Sequence, residues 1–114
     1  MDLLNLIFGL LSIGLGAFGW LLPHYTLETL HLTPHTDSMG LSEIRASAGA
    51  LFVGMGVGAI YLNSPDGYAL LGFCWIGAAI GRATSVVLDG ATRKKLGFFA
   101  VEAIVGLAAL AYNI

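Results

Sequence analysis

Four nearly unbroken apolar stretches, at residues 3–22, 44–62, 68–88 and 96–112, take up most of the chain's 114 residues. Each is close to the roughly 20 residues that a helix needs to cross the hydrocarbon of a bilayer. Lipid offers no partner to a backbone N–H or C=O, so such a run must satisfy its own polar groups as a helix. The expected fold is therefore all-α. It is a four-transmembrane-helix bundle forming a single polytopic domain over residues 1–114, with a short interfacial helix between helices 1 and 2.

Composition narrows the function classes. A soluble domain carries about a quarter charged residues, whereas this chain carries 11%, with 57% hydrophobic residues and a mean hydropathy of +0.84. That balance excludes a soluble enzyme, a disordered tail and a disulfide-stapled secreted domain. Net charge is −2, and Arg93, Lys94 and Lys95 form the only basic cluster, so nucleic acid is not an expected partner. Cys74 is alone in an apolar run and reads as a small packing residue.

The links set an orientation. The first run resembles a signal peptide in length but lacks a basic leading region, and it is expected to remain as a helix. Residues 63–67 (Asn-Ser-Pro-Asp-Gly) have the composition of a tight turn. Residues 89–95 carry three bases, while residues 63–67 and both termini carry none. The positive-inside rule then puts links 1–2 and 3–4 in the cytoplasm and both termini outside, in a multi-pass protein of a bacterial inner membrane. In the first link, Tyr25, Leu27, Leu30 and Leu32 provide an apolar side against His24, Glu28 and His31. This is the pattern of a short interfacial helix that Pro34 should end. Trp20 and Tyr112 stand where aromatic residues anchor a span at the interface; Trp75, further in, reads as packing.

Small residues define three candidate packing faces: Gly9, Ser12, Gly16 and Gly19 on the first helix, Ser47, Ala50, Gly54 and Gly58 on the second, and Gly77, Gly81 and Ser85 on the third. Between helices in lipid, close backbone approach replaces the hydrophobic drive. These faces are expected to pack the bundle internally and tightly, leaving little room for a wide aqueous pore.

Charges at or inside the spans are the candidate site: Glu43, Arg45, Arg82, Asp89 and Glu102, with Ser85. At about 1.5 Å per residue, Arg82 lies roughly 10 Å inward of Asp89 and Glu102 roughly 10 Å inward of Lys95. An ionised group at such depth costs about 2.5–3.5 kcal/mol and normally finds a partner within the protein. Arg82, Ser85 and Asp89 share a helix face by spacing, and Glu102 has the depth to meet Arg82. The expected arrangement pairs Arg82 with Glu102 or Asp89, with Arg45 and Glu43 closing the outer end.

Taken together, Glu43-Ile44-Arg45-Ala46 with the small run Ser47-Ala48-Gly49-Ala50, then Gly81-Arg82 and Asp89-Gly90, then a lone Glu102, resemble the small four-helix membrane proteins of domain of unknown function 4345, in the wider DoxX-like grouping. The resemblance runs from Pro23 to the fourth helix. At Gly49-Ala50 this chain departs from the Gly-Gly pair such proteins tend to show. The resemblance implies a four-helix bundle whose motif charges correspond to Glu43, Arg45, Arg82, Asp89 and Glu102. It implies no reaction.

Other chemistry finds little support. His31 and His35 are four apart, a metal-binding spacing on a helix, but Pro34 falls between them and no Cys or carboxylate cluster completes a set. No metal or cofactor is expected. Ser47, Ser85 and Cys74 lack a histidine nearby in sequence, and no catalytic residues are assigned. Three functions are weighed. The first is a structural, accessory or interaction protein of the bilayer, joined to a larger membrane complex or to copies of itself, with a buried charge network. The second is an intramembrane binder or enzyme for a lipophilic small molecule, using Glu102 or Asp89 as acid or base and Arg82 or Arg45 to hold an anionic headgroup or oxygen. The third is proton or ion transport, which would need a polar path through an outer half that is apolar and glycine-rich.

Overall fold

The computed structural model describes residues 2–33 and 38–114, and those residues form helices without strands. Helix α1 spans Leu3–Leu21 and α2 spans Pro23–Thr29. The second apolar run is composite: α3 (Met39–Glu43), a π-helical segment (Ile44–Ala50) and α4 (Leu51–Leu62) follow one another without a break. Helices α5 (Pro65–Asp89) and α6 (Arg93–Asn113) complete the chain. Four of these helical stretches, Leu3–Leu21, Met39–Leu62, Pro65–Asp89 and Arg93–Asn113, are long and apolar enough to cross a membrane. The chain is an all-α, multi-pass membrane protein.

The starts of α1, α5 and α6 follow capping chemistry. Asp2 caps α1 by accepting from the N–H groups of Leu4 and Asn5 at 3.0 and 3.2 Å. Ser64 caps α5 by accepting from Gly67, with Pro65 at the first position and Asp66 in the first turn. Proline tolerates that position because no intrahelical acceptor exists for its missing N–H, and an acid there suits the positive helix end. The segment at 63–67, expected as a turn, is therefore mostly the first turn of α5. Thr92 caps α6 by accepting from Lys95, so Arg93, Lys94 and Lys95 lie in a helical turn rather than a loop. Gly90, with φ +99° and ψ 148°, makes the bend between α5 and α6. A side chain there would be strained. Lys95 Nζ donates to the Gly90 carbonyl at 2.9 Å, closing the bend.

The short helix between the first two spans is present but shorter than expected. It ends at Thr29, and His31 takes a left-handed conformation with φ 57°. Leu27 is buried, and Tyr25 sets its ring against Phe18 at 5.9 Å. Pro34 and His35 lie outside the described residues.

Two compact units divide the chain, Asp2–Tyr61 and Leu62–Ile114. In the first, the α1 stripe packs as its spacing predicts: Gly9, Ser12, Gly16 and Gly19 are all buried. A Cβ added at Gly16 would lie 2.6 Å from the Gly49 carbonyl, and one at Gly19 would lie 2.5 Å from the Ala48 carbonyl. Ser12 donates to the Phe52 carbonyl at 2.8 Å. The opposing face is not the expected one. It runs through Gly49, Phe52, Gly56 and Ile60, whereas a Cβ at Gly54 or Gly58 meets nothing within 4 Å.

The second unit repeats this outcome. Gly72 and Gly106 make the close approach of α5 and α6, with a Cβ at Gly72 falling 2.8 Å from Leu110 N and one at Gly106 2.8 Å from Ile76 N. Gly77 and Gly81 are open. Both expected GxxxG pairs thus sit on the right helices but on faces unused by the packing within either unit. In helices this rich in small residues, several stripes satisfy the same spacing.

Candidate functional site

In the second unit, α5 carries Arg82 about two turns before its C-terminus, and α6 carries Glu102 about two turns beyond its N-terminus. The short Gly90 bend folds the two helices antiparallel, so residues at similar distances from the bend come opposite each other. Arg82 Nε donates to Glu102 Oε1 at 3.1 Å, and a terminal guanidinium nitrogen donates to Oε2 at 3.3 Å. This is a bidentate pair, the geometry in which the planar guanidinium fork matches a carboxylate. The side chains are 32% and 13% exposed, respectively. Phe98, one turn before Glu102 on α6, lies under the guanidinium with its ring centroid 5.2 Å from Cζ. Arg82 is thereby held by a carboxylate and a π-face from one side of α6. Sequence spacing did not single out Phe98, although its i−4 relation to Glu102 places the two on one face.

The other acid on α5 has a different partner. Asp89 Oδ2 accepts from the Ser85 hydroxyl at 3.0 Å, within its own helix. Of the two acids considered for Arg82, Glu102 is the one that meets it.

Arg45 and Glu43 belong to the first unit. Arg45 stands in the π-helical segment and donates to the Trp20 carbonyl at the end of α1, at 2.8 Å. Glu43 accepts from the Ser47 hydroxyl at 2.5 Å, one turn on. The carbonyls of α1's last turn lack intrahelical donors, so the guanidinium acts as a side-chain cap there. His24 lies in α2 and His31 just beyond it, and among the described residues no group of three or more His, Cys, Asp or Glu could hold a metal.

Each unit carries a cavity among its described residues. An open one of about 630 Å³ runs between α5 and α6 and is lined by Ile76, Ala79, Ile80, Ala83, Phe99 and Ala103, among others. Its wall is apolar and includes neither Arg82 nor Glu102. The second, of about 500 Å³, lies in the first unit at the junction of α1 with α3 and the π-helical segment, and Arg45 lines it.

A family profile described as a domain of unknown function, DUF4345, matches residues 1–112 of the chain. No curated protein and no solved structure matches it.

Proposed function

The chain belongs to the DUF4345 family, and from that premise we propose that it is a structural or accessory protein of the bilayer. In this reading it docks to other membrane helices, and its Arg82–Glu102 pair serves the fold rather than a reaction. The observation that carries this is the bidentate geometry of the pair. Both carboxylate oxygens of Glu102 accept from Arg82, and the guanidinium also has the Phe98 ring as a partner. A carboxylate serving as acid or base, or an arginine gripping a ligand, must also reach that ligand. The large cavity between α5 and α6 is walled by other residues, which favours a fastening role over intramembrane binding or catalysis through Glu102, Arg82 and Asp89.

The GxxxG pairs Gly54/Gly58 and Gly77/Gly81, unused by the packing within either unit, supply surfaces suited to close helix approach. A larger membrane complex or a second copy of the chain would fit them. Within the membrane, the basic turn Arg93-Lys94-Lys95 orients the chain with links 1–2 and 3–4 in the cytoplasm. The residues quoted above resemble those of the wider DoxX-like grouping, and membership in it is part of this reading.

Purification from native membranes with mass spectrometry of what accompanies the chain tests the proposal. A protein partner in stoichiometric amount, or a stable homo-oligomer, is expected. Recovery of a monomer carrying a stoichiometric quinone or other lipophilic small molecule would contradict it.

A further inference from the structure

The cavity at Arg45 belongs to the first unit and the Arg82–Glu102 pair to the second, and the two differ in character. Its wall is made by Trp20 at the end of α1, by Ser38, Leu41 and Ser42 at the start of the second span, and by Arg45, Ala46 and Ala50 on the π-helical segment. It is an open groove whose polar side chains, Ser38, Ser42 and Arg45, are exposed, and its volume of about 500 Å³ is within the range of small-ligand sites. The guanidinium has five N–H donors. Among the described residues, one bond of Arg45 is seen, to the Trp20 carbonyl, so the guanidinium is anchored at one edge and keeps donors for a ligand. Glu43, the nearest acid in sequence, accepts from Ser47 and is not part of the wall. Among the described residues of that lining, Arg45 is the only charged one.

From this arrangement we propose that the cavity binds a phosphate-bearing anion. Arg45 supplies the charged fork, and the hydroxyls of Ser38 and Ser42 supply further donors. The chemistry fits a tetrahedral oxyanion: a guanidinium gives two parallel N–H bonds to adjacent oxygens, and serine hydroxyls rotate to reach the remaining ones. The level in the chain fits as well. Trp20 and Arg45 stand near the ends of two spans, where lipid headgroups lie and where basic pockets between helices take anionic headgroups. Leu41, Ala46 and Ala50 give the cavity an apolar side for whatever carries the phosphate. A π turn recurs at functional sites because its extra residue re-aims side chains; here it carries Arg45, Ala46 and Ala50 of the wall. The same anion chemistry belongs to a phospholipid headgroup and to free phosphate, and the test separates them.

The full chain in neutral detergent is titrated with short-chain phosphatidylglycerol, short-chain phosphatidylcholine and inorganic phosphate, and bound ligand is read by native mass spectrometry. Phosphatidylglycerol is expected to bind at least about tenfold more tightly than phosphatidylcholine. Arg45→Gln should abolish that preference, and Lys94→Gln, which removes a charge from the other unit, should leave it unchanged. Arg45→Lys keeps a donor for the Trp20 carbonyl while losing the fork, and Ser42→Ala keeps Arg45 intact. Each should weaken phosphatidylglycerol several-fold, so the proposal remains testable if Arg45→Gln fails to fold. Arg45-dependent binding of inorganic phosphate as tight as that of phosphatidylglycerol would support the site and assign it to the free anion. Equal retention of both lipids with no Arg45-dependent binding of phosphate would overturn the proposal. So would an unchanged preference in both Arg45→Lys and Ser42→Ala, or a loss in Lys94→Gln equal to that in Arg45→Gln.

Discussion

Replacing the two members of the Arg82–Glu102 pair singly and together separates a structural clasp from two independent charges. Unit charges about 4 Å apart attract by about 4 kcal/mol at the effective dielectric of a partly enclosed site, but most of that offsets their desolvation. What a single substitution measures is the charge left behind, which costs about 2.5–3.5 kcal/mol deep in a span. The two sides differ. Glu102 is 13% exposed and Arg82 32%, and arginine has a long stem that can lift its head toward the interface. Arg82→Met, which strands Glu102, should therefore destabilise by about 2.5 kcal/mol, and Glu102→Leu, which strands Arg82 over Phe98, by about 1.5 kcal/mol. The double variant replaces the pair with apolar side chains and should lie within about 1 kcal/mol of the parent, giving a coupling energy of about 3 kcal/mol. Reversible unfolding in SDS-containing mixed micelles, followed by circular dichroism, gives all four stabilities. Additive single effects, with coupling under about 0.5 kcal/mol, would refute the bidentate clasp as a source of stability.

Three further outcomes follow from the packing and the bend. Gly106→Val drives a branched side chain into Ile76 and should cost at least about 1–3 kcal/mol in the same assay, while Gly77→Val, open in the structure, should cost under about 0.5 kcal/mol and instead reduce recovery of a membrane partner. Gly90→Ala places a Cβ on a residue with φ +99° and should lower stability by about 1–3 kcal/mol, read as a lower SDS midpoint. Replacing Arg93, Lys94 and Lys95 together with Gln should give mixed or inverted membrane orientation in reporter fusions to the C-terminus, because those residues dominate the positive-inside signal.

The fold was legible where physics leaves one solution. Four runs of about 20 apolar residues in lipid can only be helices, and each run coincides with a helix to within a few residues. The pairing of Arg82 with Glu102 was legible as one of two choices, because helical rise sets both at similar depth. What selects Glu102 is that Asp89 lies two turns on in Arg82's own helix and bonds Ser85, whereas Glu102 comes across from the antiparallel α6. Packing faces were legible on α1, where one small-residue stripe dominates. They were not on α4 or α5, where spacing alone cannot rank Gly54/Gly58 against Gly49/Gly56, or Gly77/Gly81 against Gly72. The Arg45 cavity was not legible at all. The π turn leaves no mark in a run of Ile, Ala, Ser and Gly, and the acceptor that anchors Arg45 is a backbone carbonyl, a group every residue carries. By contrast, Ser64-Pro65-Asp66 and Thr92 are ordinary helix-start signals, and weighting them above turn composition would have placed both boundaries.

The claim that the Arg82–Glu102 pair serves the fold rather than chemistry is tested most directly by the Arg82→Met/Glu102→Leu double variant, expressed in its native membrane and purified with what accompanies it. With folding verified by circular dichroism, the account predicts the same protein partner or oligomer, at the same stoichiometry as the parent chain. A well-folded double variant that has lost that assembly, or has lost a small molecule the parent chain retains, would contradict it.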